Sequence, residues 1–470
     1  LSSAASDVYK RQEKERGISV TSSVLQFNYG GYCINILDTP GHQDFSEDTY
    51  RTLMAADSAV MVIDASKGVE AQTRKLFKVC VMRHIPIFTF INKLDREAKD
   101  TFELLDDIEK ELGIATCPIN WPIGSGKEFK GVYDRAKREV ELFSDTKKGT
   151  AMGEVKMIPI DAPETEELIG ADAKDILADE IELLDGAAAE FDQELVDKGQ
   201  LSPVFFGSAL TNFGVETFLK HFLKMTTSPL PRKSDHGEID PMTEKDFSAF
   251  VFKIQANMNK AHRDRIAFMR ICSGEFEAGM SVYHVQGGKD VRLSQPQQMM
   301  ASERKMIDKA YGGDIIGVFD PGIFSIGDTL TTSKEKFAYE GIPTFAPEHF
   351  ARVRQVDTMK RKQFVKGINQ IAQEGAIQIF QEFNTGMEEI IVGVVGVLQF
   401  DVLKYRLQNE YNVEIRLENL PYEYIRWIEN EEIDMDRLSG TSDMKKIMDL
   451  KGRPLLLFAP VSYTHLTLPT

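Results

Sequence analysis

The chain has 470 residues, of which 42% are hydrophobic and 27% are charged, and this composition excludes a largely disordered protein. No apolar run approaches the ~20 residues that cross a bilayer, and the four cysteines match neither a disulfide framework nor a zinc site. At about 150 residues per domain the length predicts three domains. We expect a cytoplasmic protein with no membrane partner.

The net charge of −17 argues at first against a partner that contains RNA. The acidic residues are unevenly spread, however, because the stretch from Asp161 to Lys198 has 14 of them against two lysines. The helical period from Ala173 to Val196 favours a solvated acidic helix face. A basic surface for RNA elsewhere on the chain stays open.

Both ends of the chain differ from the sequence between them. The stretches Leu1 to Gln12 and Val461 to Thr470 continue neither a helical nor a strand period. We interpret both as non-native sequence, and frayed natural ends are the alternative.

Four short apolar runs, rich in β-branched residues, predict buried parallel strands. They are Tyr32 to Leu37, Ala59 to Ile63, Ile85 to Ile91 and Pro203 to Phe206. Predicted helices alternate with them at Glu70 to Arg83, Thr101 to Leu112 and Val215 to Thr226. The alternation indicates a doubly wound α/β domain, whose ligand lies at the carboxyl ends of the strands. Asp38, Asp64 and Asn92 directly follow the first three runs, and Ser208 comes two residues after the fourth.

The predicted domains follow from changes in period and from proline-rich boundaries. The α/β domain covers residues 13–227 with an insertion at about 113–202, and residues 228–246 form a linker. Short glycine-punctuated strands predict a β-barrel over 247–338. Residues 339–460 predict an α+β domain, with helices at Lys360 to Glu374 and Val397 to Glu410 around a strand at Ile390 to Val394.

The first chemical motif is the string from Asp38 to His42, placed directly after a predicted strand. A carboxylate at a strand end suits Mg²⁺, which keeps several waters beside one or two carboxylates and phosphate oxygens. Gly41 lacks a side chain, so its N–H can approach a terminal phosphate closely. His42 then stands where a water that attacks this phosphate needs orienting, which makes it the candidate catalytic residue.

The second motif is Asn92-Lys93-Leu94-Asp95, which starts 54 residues after Asp38. The Asp95 carboxylate can accept hydrogen bonds from the N1–H and the exocyclic amine of guanine, whereas adenine leaves it unpaired. Asn92 can tie neighbouring loops together, and the stem of Lys93 can cover the base. After the fourth run, Ser208, Ala209 and Leu210 offer a backbone N–H to guanine O6.

Upstream of the first run, Ser19 is the second candidate Mg²⁺ ligand, and an ordinary loop or cap serine is the alternative. A phosphate-binding loop of the form G-x-x-x-x-G-K-[ST] belongs several tens of residues before it, yet only 18 residues precede Ser19. Gly126-Lys127 imitates the loop but has Trp121 and Glu128 where the glycine and the hydroxyl belong. We therefore expect this sequence to lack the first strand and the phosphate loop.

The RGIS, DTPGH, NKLD and SAL strings that begin at Arg16, Asp38, Asn92 and Ser208 resemble the nucleotide motifs of translational GTPases. The resemblance runs from about Glu13 to Pro460. Within that group the chain is most similar to the bacterial peptide chain release factor 3 family, and Ser19 stands where elongation factors carry threonine. The stretches that carry this similarity are Asp44 to Leu53, Phe250 to Met258, His262 to Arg265 and Gly393 to Phe400.

The resemblance implies GTP/GDP and Mg²⁺ as cofactors, and GTP hydrolysis that promotes departure of class I release factors from the ribosome. The implied partners are the ribosome and class I release factors, with no DNA, and the implied state is a monomer. Without the phosphate loop we expect the chain by itself to be inactive. The alternatives are an elongation factor G-like or ribosomal protection GTPase, and a non-catalytic ribosome-binding module.

A basic stretch in the predicted third domain is the candidate contact with ribosomal RNA. A solvated helix face explains the same pattern equally well. Its members are Arg352, Arg354, Lys360, Arg361, Lys362 and Lys366.

Overall fold

The computed structural model describes residues 19–143, 155–256, 265–294, 296–300, 303–383, 390–428, 435–438 and 443–460. The predictions for both chain ends, for Arg16 to Ile18, for Asn257 and Met258, and for His262 to Asp264 lie outside these ranges. The chain divides into two compact units, Ala56–Ser228 and the combination of Leu1–Ala55 with Pro229–Thr470. These units are not the predicted domains, whose limits stay predictions.

The first strands that the structure describes in the larger unit form a β-hairpin. Its strands β1 (Ser23–Tyr29) and β2 (Tyr32–Asp38) pair antiparallel over their whole length, from Ser23 opposite Asp38 to Tyr29 opposite Tyr32. Gly30 and Gly31 join them with φ angles of 58° and 85°, the conformation that a two-residue hairpin turn requires. The helix α1 (Ser46–Met54) follows.

The prediction that Tyr32 to Leu37 forms a buried strand of the parallel sheet is therefore wrong. The Gly-Gly turn folds this run back onto the preceding strand, and Tyr32 is 57% exposed. Continuous apolarity was a misleading signal here, because the turn chemistry two residues upstream decides the pairing.

The smaller unit is built on a four-stranded parallel sheet in the order β3-β4-β10-β5. Its elements in chain order are β3 (Ala59–Asp64), α2 (Ala71–Met82), β4 (Ile87–Asn92), α3 (Thr101–Leu112), β5 (Ala115–Pro118), β6 (Asn120–Ile123), β7 (Gly131–Asp134), β8 (Glu139–Phe143), β9 (Val155–Pro159), α4 (Pro163–Ile169), α5 (Ala171–Ala187), α6 (Gln193–Asp197), β10 (Leu201–Phe206) and α7 (Val215–Met225).

Local sequence explains these elements well. All six residues of β10 are buried, as a central strand of a covered parallel sheet requires. The helix α3 begins at the Asp100 cap, whose carboxylate accepts from the N–H groups of Phe102 and Glu103, and it ends at Gly113 in the left-handed conformation. Phe88, Phe90 and Phe205 pack with the apolar face of α7 to form the core of this unit.

The insertion between β5 and β10 is only partly helical. Strands β6 to β9 form a four-stranded antiparallel sheet, which the sequence did not predict. The predicted helix from Ala173 to Val196 is two helices, α5 and α6. Trp121 on β6 is fully buried, and its indole N–H donates to Glu180 on α5 at 2.8 Å. One carboxylate of the acidic helix thus has an internal role.

The predicted linker contains a small hairpin, β11 (Arg232–Ser234) and β12 (Gly237–Ile239). An eight-stranded antiparallel sheet follows in the order β17-β16-β22-β13-β14-β21-β18-β19, beside the pair β15-β20. Alternate residues of β14 enter different cores, with Ala267 and Met269 in one and Ile266 and Phe268 in the other. The strands are β13 (Ser248–Ala256), β14 (Arg265–Ser273), β15 (Glu275–Glu277), β16 (Ser281–His284), β17 (Lys289–Arg292), β18 (Gln297–Met300), β19 (Glu303–Met306), β20 (Lys309–Tyr311), β21 (Ile315–Phe319) and β22 (Thr329–Thr331).

The last part of the larger unit is a seven-stranded sheet with two helices, in the strand order β26-β23-β25-β24-β28-β29-β27. Phe364 and Ile368 of the first helix and Leu403 and Leu407 of the second belong to one core with this sheet. The elements are β23 (His349–Gln355), α8 (Arg361–Gln373), β24 (Gln378–Glu382), β25 (Ile390–Val394), α9 (Leu398–Tyr411), β26 (Ile415–Leu420), β27 (Tyr424–Trp427), β28 (Met444–Asp449) and β29 (Pro454–Phe458). None of the helices in the described ranges is long and apolar enough to cross a membrane.

Candidate functional site

The carboxyl ends of three neighbouring strands of the smaller unit carry polar residues. Asp64 ends β3, Asn92 ends β4, and Ser208 comes two residues after β10. Asp64 and Asn92 are register partners, so they lie side by side. This edge is where the sequence predicts the ligand of a parallel sheet.

Asn92 connects the loops that follow β4 and β10. Its Oδ1 accepts from the backbone N–H of Lys93 at 2.8 Å and from that of Ala209 at 2.8 Å. Lys93 has a φ of 71°, an uncommon conformation for a residue with a side chain. This hydrogen bond joins the two loops, and the role of Asn92 in a nucleotide site stays a prediction.

Asp95 and Ser208 are held together by a short hydrogen bond. The Ser208 hydroxyl donates to Asp95 Oδ1 at 2.5 Å. Ser208 is fully buried, and its backbone N–H and C=O both pair with Phe213 at 2.9 Å. The serine therefore fixes the rotation of the Asp95 carboxylate, while Leu210 is 70% exposed.

Asp64 pairs with Lys93, a contact that the sequence did not predict. The ammonium of Lys93 lies 2.7 Å from Asp64 Oδ2, and the other carboxylate oxygen accepts from the N–H and the hydroxyl of Ser66. Partial burial favours the protonated acid, but the hydrogen bonds from Lys93 and Ser66 outweigh it and lower the pKa of Asp64 to about 2. The one sequence signal for Asp64 is its position directly after a predicted strand.

Ser19, Asp38, Gly41 and His42 belong to the larger unit. Ser19 precedes the hairpin, and Asp38 ends β2 with an exposed side chain, although loss of part of its solvent raises the pKa of its carboxyl. His42 Nδ1 accepts from the N–H of Asp44 at 3.2 Å and so caps the short turn before α1. A Cβ added at Gly41 would meet no atom within 4 Å, so packing does not explain this glycine.

The segment after His42 packs against the Gly393 to Phe400 stretch. The backbone N–H of Leu398 donates to Asp44 Oδ2 at 2.8 Å. A Cβ added at Gly396 would lie 2.2 Å from Asp44 Cγ, so only glycine fits there. Two stretches that carry the family resemblance are thus in direct contact.

Three family models match the chain in succession. They are the Elongation factor Tu GTP binding domain over residues 4–228, Elongation factor G domain 2 over 246–333, and the Class II release factor RF3, C-terminal domain over 339–466. The peptide chain release factor 3 of Symbiobacterium thermophilum is 58% identical over 455 residues, which are 97% of this chain and 86% of that protein. The chain belongs to the peptide chain release factor 3 family. A second member, from Cyanothece sp., is 51% identical, with 97% of this chain and 83% of that protein covered.

A solved structure supports the fold. A crystal structure of a protein from Thermus thermophilus matches with a TM-score of 0.69 over 88% of this chain and 62% of that chain. Its sequence identity of 22% means that this likeness concerns the fold alone. The predicted fold class is confirmed, since the α/β GTPase domain is followed by β-rich domains.

Family membership also confirms the predicted function at the family level. This release factor 3 relative is a translation-termination GTPase that binds guanine nucleotide and acts on the ribosome. The comparisons do not favour the elongation factor or non-catalytic alternatives. The roles of individual site residues stay predictions.

Proposed function

We propose that this protein promotes the departure of class I release factors from the ribosome by hydrolysing GTP, as a monomer in the cytoplasm. Two hydrogen bonds that join the Asn92–Asp95 and Ser208–Leu210 loops support nucleotide binding in this proposal. Their side chains converge at the carboxyl edge of a parallel sheet, where this fold class binds nucleotides.

In this proposal Asp95 reads the base. Ser208 occupies one lone pair of Oδ1 and leaves the remaining positions of the carboxylate for the N1–H and the amine of guanine. Asn92 keeps the two loops at a fixed distance, Lys93 covers the base, and an N–H of the Ser208–Leu210 loop meets guanine O6. Adenine offers no donor pair of this kind, so the carboxylate would lose both hydrogen bonds to the base, at a cost of about 1–3 kcal/mol per lost bond.

For the phosphates we keep the sequence prediction, which rests on the motif residues Ser19, Asp38, Gly41 and His42. Among the described residues the Asp38 carboxylate has no hydrogen-bond or ion-pair partner, which suits a ligand for a hydrated Mg²⁺. Ser19 would add a hydroxyl ligand, and the ion would neutralise charge on the phosphates. Gly41 gives its N–H access to the terminal phosphate, and His42 orients the attacking water.

The test is a change of base preference in the full-length protein. An Asp95→Asn variant presents an amide donor where guanine also donates, whereas xanthine carries an accepting oxygen at that position. We expect GTP binding to weaken and XTP binding to strengthen, with a change of at least about tenfold in their ratio. Asp106→Asn, at a side chain 63% exposed on α3, is the matched control. An unchanged GTP to XTP ratio in Asp95→Asn would remove Asp95 as the base reader.

A further inference from the structure

Lys93 is held at both ends of its side chain. Its backbone is fixed in the left-handed conformation next to Asn92, whose Oδ1 accepts the Lys93 N–H. Its ammonium, on a stem of four methylene groups, is fixed by Asp64 Oδ2 at 2.7 Å. A free lysine side chain samples many rotamers, so a hold at both ends removes most of that freedom.

Asp64 is itself rigid. Its Oδ1 accepts from the Ser66 N–H at 3.0 Å and the Ser66 hydroxyl at 2.7 Å, and its backbone C=O accepts from Gly68 at 2.9 Å. Its side chain is 14% exposed, compared with 45% for Lys93. The anchor is therefore less exposed, and its carboxylate has more hydrogen-bond partners, than the side chain that it anchors.

We propose that Asp64 is a positioning residue of the guanine site, which orders the stem of Lys93 before the nucleotide arrives. This proposal rests on the proposed base-covering role of Lys93. A lysine that is already ordered in the empty site loses less rotamer freedom when the base binds, so Asp64 increases affinity without touching the nucleotide. The alternative is that the ion pair holds Lys93 away from the base. In that case Asp64 would reduce the affinity for the nucleotide.

The test is equilibrium binding of a fluorescent GDP to the full-length protein. Asp64→Asn keeps an oxygen for Ser66 but removes the charge that holds Lys93, so we expect about 3- to 10-fold weaker binding. Lys93→Met keeps most of the stem and loses the ammonium, and it should weaken binding by a similar factor. The double variant should bind like Lys93→Met alone, because both changes break the same contact.

Two controls separate positioning from turn stability. Ser66→Ala removes a hydroxyl bond to Asp64 but leaves the ion pair, and Asp106→Asn removes an exposed carboxylate on α3. Asp106→Asn should bind GDP within about twofold of the parent, in the range expected for surface changes. Ser66→Ala loosens Asp64 without breaking its ion pair with Lys93, so its loss should be smaller than that of Asp64→Asn. If Asp64→Asn does not fold, Lys93→Met carries the test.

The outcomes are distinguishable. Tighter binding by Asp64→Asn, or losses that add in the double variant, would overturn the positioning role. Unchanged binding by Lys93→Met would do the same. If Asp95→Asn also leaves the base preference unchanged, the proposed guanine site fails as a whole. If Asp95→Asn changes the preference and Asp64→Asn has no effect, the inference about Asp64 alone fails.

Discussion

Arg51 is a buried cation on α1, the helix that follows His42. Its side chain connects this helix to the end of α8. Its guanidinium donates to the backbone C=O of Gly375 at 2.7 Å and of Glu374 at 3.3 Å, and it pairs with Glu47 at 2.9 Å. Arg51 is 5% exposed and Glu47 is 6% exposed. Carbonyls at the carboxyl end of a helix lack partners within the helix, so a cation there is favourable for both the hydrogen bonds and the helix dipole.

We predict that Arg51→Ala destabilises this contact strongly. The change leaves Glu47 buried without its ion-pair partner and removes the guanidinium donor from two carbonyls. Breaking one side of a buried pair costs about 3–5 kcal/mol. An Arg51→Met/Glu47→Gln double variant removes both charges, so it should recover most of that loss.

Hydrogen exchange followed by mass spectrometry suits this test, because a chain of two units does not unfold in a single two-state step. Peptides from α8 should exchange faster in Arg51→Ala, by a factor that corresponds to about 3 kcal/mol or more of local opening free energy. Peptides from α3 and β4 in the smaller unit provide the internal reference. Asp106→Ala, which breaks the exposed pair with Lys110, should leave the exchange rates nearly unchanged. Equal rates for α8 in Arg51→Ala and the parent would refute the reasoning.

Two further predictions concern turnover and the ribosome. In the full-length protein, His42→Ala should leave GTP affinity within a few-fold while it slows ribosome-stimulated hydrolysis, because a water-orienting group acts mainly in the transition state; a large loss of affinity with normal turnover would reverse that role. Arg361, Lys362 and Lys366 are exposed on α8, whereas Arg352 pairs with Glu418 and Lys360 donates to the C=O of Asn412. Neutralising the three exposed residues should weaken ribosome pelleting and reduce its salt slope, since fewer counterions are released; an unchanged slope would leave them as a solubilising surface.

Local signals predicted the parts of the fold that are decided locally. The apolar runs of β4 and β10 and the caps of α3 can be read within a few residues, and these elements are where the sequence puts them. The turn at Gly30 and Gly31 is also a local signal. The prediction for the strand after it is wrong because it gives the apolar run more weight than the turn residues. The antiparallel sheet of β6 to β9 is harder to predict from the sequence, because β6 and β7 are only four residues each and carry little periodic signal.

In the candidate site, too, some residues can be predicted from local sequence and others cannot. Motif residues that follow strands, such as Asn92 and Ser208, are predictable because strand ends share one edge of a parallel sheet. The pairs Asp64–Lys93 and Arg51–Gly375 join residues 29 and 324 positions apart. No periodicity or turn signal specifies such partners, since tertiary packing chooses them.

A last prediction concerns Glu141, a carboxyl buried beneath α7. It is 2% exposed, and burial raises the pKa of its carboxyl to about 7. The charge of Lys220 lowers this pKa, whereas the charges of Glu216 and Asp134 raise it. Thr217 donates to it, and His221 pairs with Asp134 at 2.9 Å beside it. Because the folded state keeps this proton that the unfolded chain releases near pH 4.5, stability falls as pH rises from about 4.5 to 7.

The penalty at pH 8 is on the order of 3 kcal/mol, at 1.36 kcal/mol for each pKa unit. A Glu141→Gln variant keeps an oxygen for Thr217 and cannot ionise, so it should stabilise the smaller unit at pH 8 and leave it nearly unchanged at pH 4.5. Protection of β10 amides at the two pH values measures this difference. The parent and the variant share every other ionisable group, so the comparison isolates Glu141. An equal effect of the substitution at pH 4.5 and pH 8 would mean that packing, and not the buried charge, determines the cost of this side chain.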